Sequence, residues 1–151
     1  MTEPGYQKPD LALLGAEHVA RYRETNGEVG YEWNGVSTLL LTTTGRKSGQ
    51  ARTNALIFGR DGDDYLVVAS RGGAPKHPDW FFNLQANPEA EIQVKAEHIR
   101  VTAHAVTEGA ERDRLWKIVT GYWPNYDAYQ TRTDRVIPVV VLRPVRGGDS
   151  A

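Results

Sequence analysis

The chain contains no cysteine, which removes disulfides, thiolate metal sites and cysteine nucleophiles from consideration. That suits a reducing compartment, and a cytoplasmic location is the expectation. No run of about 18 consecutive apolar residues occurs, so no membrane-spanning helix is expected, and the amino-terminus carries no apolar run of signal type. Net charge is also scarce: 18 Lys and Arg against 19 Asp and Glu leave -1, which gives no global attraction to nucleic acid or anionic lipid. Any basic function must come from a local cluster. Familiar signatures are missing too. The turn at Gly45 lacks the Walker spacing, and no G-x-G-x-x-G follows a strand. His98 and His104 share a face of one expected strand but would lie about 20 Å apart, too far to share a metal ion. His77 has no ligand partner at a suitable spacing, and Ser48 and Ser70 sit in no nucleophile elbow. No metal site is expected.

What is present is a chain of 151 residues with an ordinary soluble composition, enough for one core. Leu11, Leu14, Val19 and Tyr22 fall at roughly helical spacing, which predicts an amphipathic helix over 11–24, ending at Asn26-Gly27. Such a stripe either packs on the domain or serves as a lid or membrane-surface contact. Val36 to Thr44 reads as a strand, Gly45 to Gly49 as a tight basic turn and Ala51 to Gly59 as the returning strand. Asp61-Gly62 then leads into Tyr65 to Ser70, so three strands are expected in an antiparallel meander. The pattern further predicts a short helix over 78–85 with Pro78 at its first position, and strands over 90–95 and 99–106. A helix capped by Thr107 runs to about Thr120, Pro124 opens another, and a strand over 136–145 closes the fold. Six strands with inserted helices define an α+β barrel or sandwich. Residues 1–35 are expected as an amino-terminal helical segment, 36–145 as the barrel domain and 146–151 as a disordered tail.

Cations concentrate in two places. Lys47 lies in the basic turn and Arg52 at the start of the returning strand, and Arg71 and Lys76 lie in the loop after the third strand. If the two converge, these side chains and the exposed amides of Gly72 and Gly73 make an anion site; otherwise they are two solvated basic loops. Trp80 and Asn83, on the following short helix, can set an indole and an amide against a flat ring, or simply pack and cap. Trp123, Tyr126 and Tyr129 recur every three residues, so on one helix they form an aromatic ridge, either core or the roof of a pocket with a phenol able to supply a proton.

Leu-Leu-Leu-Thr-Thr-Thr-Gly-Arg-Lys-Ser-Gly-Gln-Ala-Arg (39 to 52), Ser-Arg-Gly-Gly-Ala-Pro-Lys-His-Pro-Asp-Trp-Phe-Phe-Asn-Leu (70 to 84), Asn-Pro-Glu-Ala-Glu-Ile-Gln-Val (87 to 94) and Tyr-Gln-Thr-Arg-Thr-Asp-Arg-Val-Ile-Pro-Val-Val (129 to 140) together resemble the deazaflavin-dependent nitroreductase and quinone reductase family. The resemblance runs in order from about Val36 to Pro144. It implies a split β-barrel that binds coenzyme F-420 and passes a hydride from its reduced form to a quinone or another activated electrophile, nitroaromatics and unsaturated lactones included. It also implies residue roles. Lys47, Arg52 and Arg71 would hold the phosphate and oligoglutamate tail. Asn54, Ala55, Leu56, Ile57, Ser70, Gly72, Gly73, Trp80 and Asn83 would lie along the deazaflavin and its linker. Trp123, Tyr126 and Tyr129 would face the acceptor, with Tyr126 or Tyr129 orienting or protonating it. Three positions depart from the family. Ala55 stands where proline is common, Trp123 where the best-known nitroreductase has tyrosine, and Arg132 where it has tryptophan. The last two change pocket volume and charge, so the acceptor carries over less firmly than the cofactor. Two rival readings remain at this point: a split barrel using flavin mononucleotide, and a non-catalytic F-420 carrier. Expected partners are a small-molecule substrate, no nucleic acid, a homodimer as candidate assembly, and peripheral contact with the inner face of the cell membrane through the first helix.

Overall fold

The computed structural model describes Tyr6 and residues 8 to 145; the tail expected over 146–151 lies outside the described residues. In chain order the elements are α1 (Gly15–Thr25), β1 (Glu32–Trp33), β2 (Val36–Thr44), β3 (Ala51–Ile57), β4 (Gly59–Asp61) and β5 (Asp64–Val68). A 3-10 turn (Arg71–Gly73) leads to α2 (Asp79–Ala86), β6 (Glu89–Val94), β7 (Glu97–Val106), α3 (Gly109–Tyr122), α4 (Asn125–Thr131) and β8 (Val139–Pro144). The six expected strands are joined by two short ones, β1 and β4. The sheet order is β1-β2-β6-β7-β8-β5-β4, with β3 paired to β2, and every pairing is antiparallel. The sheet curls into the half-barrel of a split-barrel α+β fold.

The expected meander is only half correct. β2 and β3 form the hairpin, from Thr38↔Ile57 to Thr44↔Ala51, and β5 pairs with the short β4 across the Asp61-Gly62 turn, but its other partner is β8 and not β3. Val139, Val140, Val141 and Leu142 of β8 are all buried, and a strand apolar on both faces belongs in the middle of a sheet. β8 therefore inserts between β7 and β5. Its alternate residues feed two clusters. Val140 and Leu142 join Leu39, Leu41, Val67 and Ile92 under Trp80, Phe81 and Leu84 of α2. Val139 and Val141 join Leu66 and Val68 under Leu115 and Val119 of α3. At Gly59, where β4 passes beneath α3, a Cβ would lie 2.3 Å from the Tyr122 ring.

Helix α1 starts at Gly15, four residues later than the stripe implied. Leu14 is extended and Gly15 adopts a φ of 65°, so Leu11 and Leu14 fall outside the helix and are 57% and 54% exposed. The segment before it is pinned instead by polar contacts. The Asp10 N–H donates to Asn34 Oδ1 at 2.7 Å, Asn34 Nδ2 donates to the Asp10 carbonyl at 2.9 Å, and Trp33 Nε1 donates to the Leu13 carbonyl at 2.8 Å. Other ends shift less. Pro78 is the N-cap of α2 instead of its first residue, Glu108 instead of Thr107 precedes α3, and β8 begins at Val139 instead of Val136.

The buried face of α1 consists of His18 and Tyr22. The Tyr22 hydroxyl accepts the Lys95 N–H at 2.8 Å and donates to the Thr38 carbonyl at 3.0 Å, with the Gln93 carbonyl at 3.3 Å. One phenol thus ties α1 to β2 and to the β6–β7 turn. Burial raises its pKa, opposed by the Lys95 amide, so it remains a donor at neutral pH. Tyr22→Phe would strand the Lys95 amide, and a loss of about 2 kcal/mol is expected in urea unfolding. An unchanged midpoint would remove this closure role.

Candidate functional site

Two cavities adjoin at the open side of the half-barrel. The first, of about 490 Å³, lies between β3, the 3-10 turn, the start of α2 and the α3–α4 junction. Asn54, Ala55, Leu56, Ile57, Ser70, Arg71, Gly72 and Trp80 line one side, and Trp123, Tyr126 and Tyr129 the other. The second, of about 510 Å³, is lined by Lys47, Arg52 and Asn83 among others, and it shares Asn54, Asp79 and Trp80 with the first. Most residues marked in the sequence therefore meet in two joined spaces. Lys76 does not; it lines neither cavity.

Backbone geometry explains the loop after β5. Arg71 and Gly72 both have left-handed φ, 46° and 64°, and Gly73 has 87°, so the chain turns within three residues and brings Arg71 to the cavity. Gly73 carries the tightest constraint, because a Cβ there would sit 2.6 Å from the Tyr129 carbonyl of α4. Its amide is not exposed as expected. It donates to the Ser70 carbonyl at 2.9 Å, closing the 3-10 turn, and Gly73 lines neither cavity.

Asn83 is 4% exposed and committed at both ends of its amide. Nδ2 donates to Thr43 Oγ1 at 3.1 Å, and Oδ1 accepts the Arg46 N–H at 3.2 Å and Arg46 Nη1 at 2.9 Å. It fixes the basic turn to α2. Trp80, 4% exposed, gives the two cavities a common indole wall. Trp123 lies between α3 and α4, not on one helix with the tyrosines. Its indole packs on Trp33 at 5.8 Å, while Tyr126 meets Tyr122 at 6.4 Å and Tyr129 at 6.1 Å. The aromatic series therefore forms a wall across a helix junction. His18, Trp33, Thr38 and Leu14 also line the first cavity and Arg46 the second; Leu14 was read only in the amphipathic stripe, and the others were not expected at the site. His18 could have been found, since it lies four residues before Tyr22 on the same helix face.

Charge distinguishes the site. Arg46 faces Asp79 at 3.5 Å, Arg114 faces Asp61 at 2.9 Å and Arg143 faces Asp64 at 3.3 Å. Among the described residues, no carboxylate or side-chain hydrogen bond neutralises Lys47, Arg52 or Arg71. On the aromatic side, burial pushes the Tyr126 pKa well above its ordinary value, helped by the nearby Tyr122 and Tyr129 phenols. Tyr126 therefore keeps its proton across the neutral range. No group of acidic, His or Cys side chains suited to a metal ion occurs among the described residues.

A split half-barrel whose aromatic cavity adjoins a cationic one defines a class of proteins suited to a planar, multiply anionic organic cofactor. The chain belongs to the F420H(2)-dependent quinone reductase family, whose model matches residues 14–144. It is 50% identical over 128 residues, 83% of this chain and 86% of the relative, to an F420H(2)-dependent quinone reductase of Mycobacterium tuberculosis. Among solved structures, an F420-H2 dependent reductase is 43% identical, with a TM-score of 0.65 over 70% of this chain and 93% of its own. Another, described as a domain-swapped dimer, is 39% identical, with a TM-score of 0.68 over 84% of this chain and 95% of its own.

Proposed function

We propose that this chain transfers a hydride from reduced coenzyme F-420 to a quinone, with the cofactor ring in the first cavity and its phosphate and oligoglutamate tail in the second. The observation that carries this reading is the trio Lys47, Arg52 and Arg71, which no carboxylate among the described residues neutralises, beside an aromatic-walled space. A phosphate and a string of carboxylates supply the missing counter-charge. Asn54 to Ile57, Ser70, Gly72 and Trp80 line the first cavity and would border the ring and linker, while Asn83 and Gly73 shape the surrounding backbone. Bound reduced F-420 supplies the two electrons as a hydride. The protein excludes water with Trp80 and Trp123, presents the acceptor against Tyr129, and holds a proton on the Tyr126 oxygen for the hydroquinone product. A homodimer belongs to the proposal, supported by the domain-swapped relative. So does contact with the membrane where quinones reside, supported by Leu14, which is 54% exposed and lines the first cavity. No described helix is long and apolar enough to cross a membrane.

Titration of the purified protein with F-420, followed by stopped-flow oxidation of the reduced cofactor by menaquinone, tests the reading. Saturable binding and accelerated oxidation are expected. Protein that purifies with a flavin spectrum and ignores F-420 would point to flavin mononucleotide, and tight binding without acceleration would leave only a carrier. For Tyr126→Phe the expectation is a fall in kcat of about tenfold or more with unchanged F-420 affinity. Equal loss of both would make Tyr126 part of the wall alone.

A further inference from the structure

The segment from Ala69 to His77 contributes Ser70, Arg71 and Gly72 to the first cavity, yet it has little backbone structure of its own beyond one 3-10 turn. Its order comes from outside. Arg135, in the connection between α4 and β8, sends Nε to the Ala74 carbonyl at 2.9 Å and Nη2 to the Ser70 carbonyl at 2.8 Å. Its Nη1 reaches the Ala69 carbonyl at 3.1 Å and His77 Nδ1 at 2.9 Å. One guanidinium thereby holds four acceptors spread along nine residues, including both ends of the segment.

We infer that Arg135 is a positioning residue for F-420, acting through the Ala69 to His77 segment, and that His77 is the acid-sensitive member of this clamp. The inference rests on the reading that this segment borders the cofactor. Arg135 lines neither cavity, so its effect passes through the acceptors it holds. Lysine cannot replace it fully, because an ammonium lacks the planar fork that reaches several acceptors in fixed directions.

The His77 contact fixes a tautomer. Arg135 can only donate, so Nδ1 accepts and the ring proton sits on Nε2. Protonation would set an N–H against the guanidinium and place a cation beside a cation. The groups around the ring offer no relief: α2 packs the Phe81 and Phe82 rings against it at 4.6 and 5.6 Å. Asp79 is turned to Arg46, Arg71 adds a further positive charge felt at Arg135, and Asp134 is exposed. Burial and then the Arg135 charge hold the His77 pKa below 6.5. A base depressed on folding stabilises the folded clamp fully above the unfolded value. That contribution is lost as pH falls from about 6.5 through the lowered folded value.

The test is F-420 affinity, with quinone KM at saturating cofactor, for wild type, Arg135→Met, Arg135→Lys and His77→Asn at pH 7.5 and pH 5. Arg135→Met is expected to weaken binding by about tenfold or more, with Arg135→Lys recovering part of it and quinone KM unchanged. Asparagine keeps an acceptor that does not titrate, so His77→Asn should match wild type at pH 7.5 and bind more tightly than wild type at pH 5. The comparison at each pH cancels any titration of the cofactor itself. Wild type that fails to bind F-420 overturns the functional reading and the inference with it. Wild-type binding with unchanged affinity in Arg135→Met overturns the inference alone, as do identical pH profiles for wild type and His77→Asn. If Arg135→Met does not fold, the lysine and asparagine variants decide, full affinity in the lysine variant counting against the clamp.

Discussion

Arg52→Ala should weaken F-420 binding by more than tenfold, and Lys47→Ala by a similar factor. Both side chains line the second cavity and lack a carboxylate partner among the described residues, so they are available to an incoming anion. A charge-assisted hydrogen bond is worth about 1.5–3 kcal/mol, which is roughly ten- to a hundredfold in affinity. Both residues are exposed, so the loss should sit near the lower figure and shrink as salt rises. Fluorescence titration at low and high salt measures both the loss and its screening. Arg114→Ala is the comparator, because Arg114 is already paired with Asp61 at 2.9 Å and lines neither cavity. Unchanged affinity in the Lys47 and Arg52 variants, or an equal loss in the Arg114 variant, would sink the anion-site assignment.

The second large effect is expected at Gly73. Alanine there must adopt a φ of 87° and also place its Cβ 2.6 Å from the Tyr129 carbonyl. Backbone lies on both sides of this contact, so no side chain can swing away. Strain and overpacking together should cost about 3 kcal/mol and separate the 3-10 turn from α4. Gly72→Ala isolates the first component. Its φ is 64° with nothing within 4 Å of the added Cβ, so a loss of about 1 kcal/mol is expected. Thermal unfolding of both variants tests the contrast. Equal losses would show that the approach to Tyr129 relaxes easily.

Some of this was readable from residues alone. β2 matched its expected bounds at both ends because a β-branched and apolar run is enclosed by Gly35 and Gly45. The pairing of β5 with β8 was not readable, since the two strands lie far apart in the chain and only the double burial of β8 places it inside the sheet. Leu11 and Leu14 followed a helical period, but the extended backbone at Leu14 and the positive φ of Gly15 make the helix start only after them. At the site, the clustering of Lys47, Arg52 and Arg71 was visible as composition, whereas their neutralisation state was not. Arg46 and Lys47 are adjacent in the chain and both line the second cavity, yet Arg46 is paired with Asp79 whereas Lys47 has no carboxylate partner among the described residues. The hub formed by Arg135 was equally hidden, because its acceptors are mostly backbone carbonyls, which carry no residue signature.

β8 is the last described strand in the chain and sits between β7 and β5. During synthesis, β5 and β7 must therefore wait for the residues up to Pro144 before either gains its partner on that side. Pairings of such long sequence separation close slowly and leave strand edges open meanwhile. A nascent chain or fragment stopped before Val139 should be captured by chaperones or aggregate, whereas wild type folds once β8 is free. The last described strand thus closes the edges of β5 and β7 together, so the two sides of the sheet depend on one late segment of the chain.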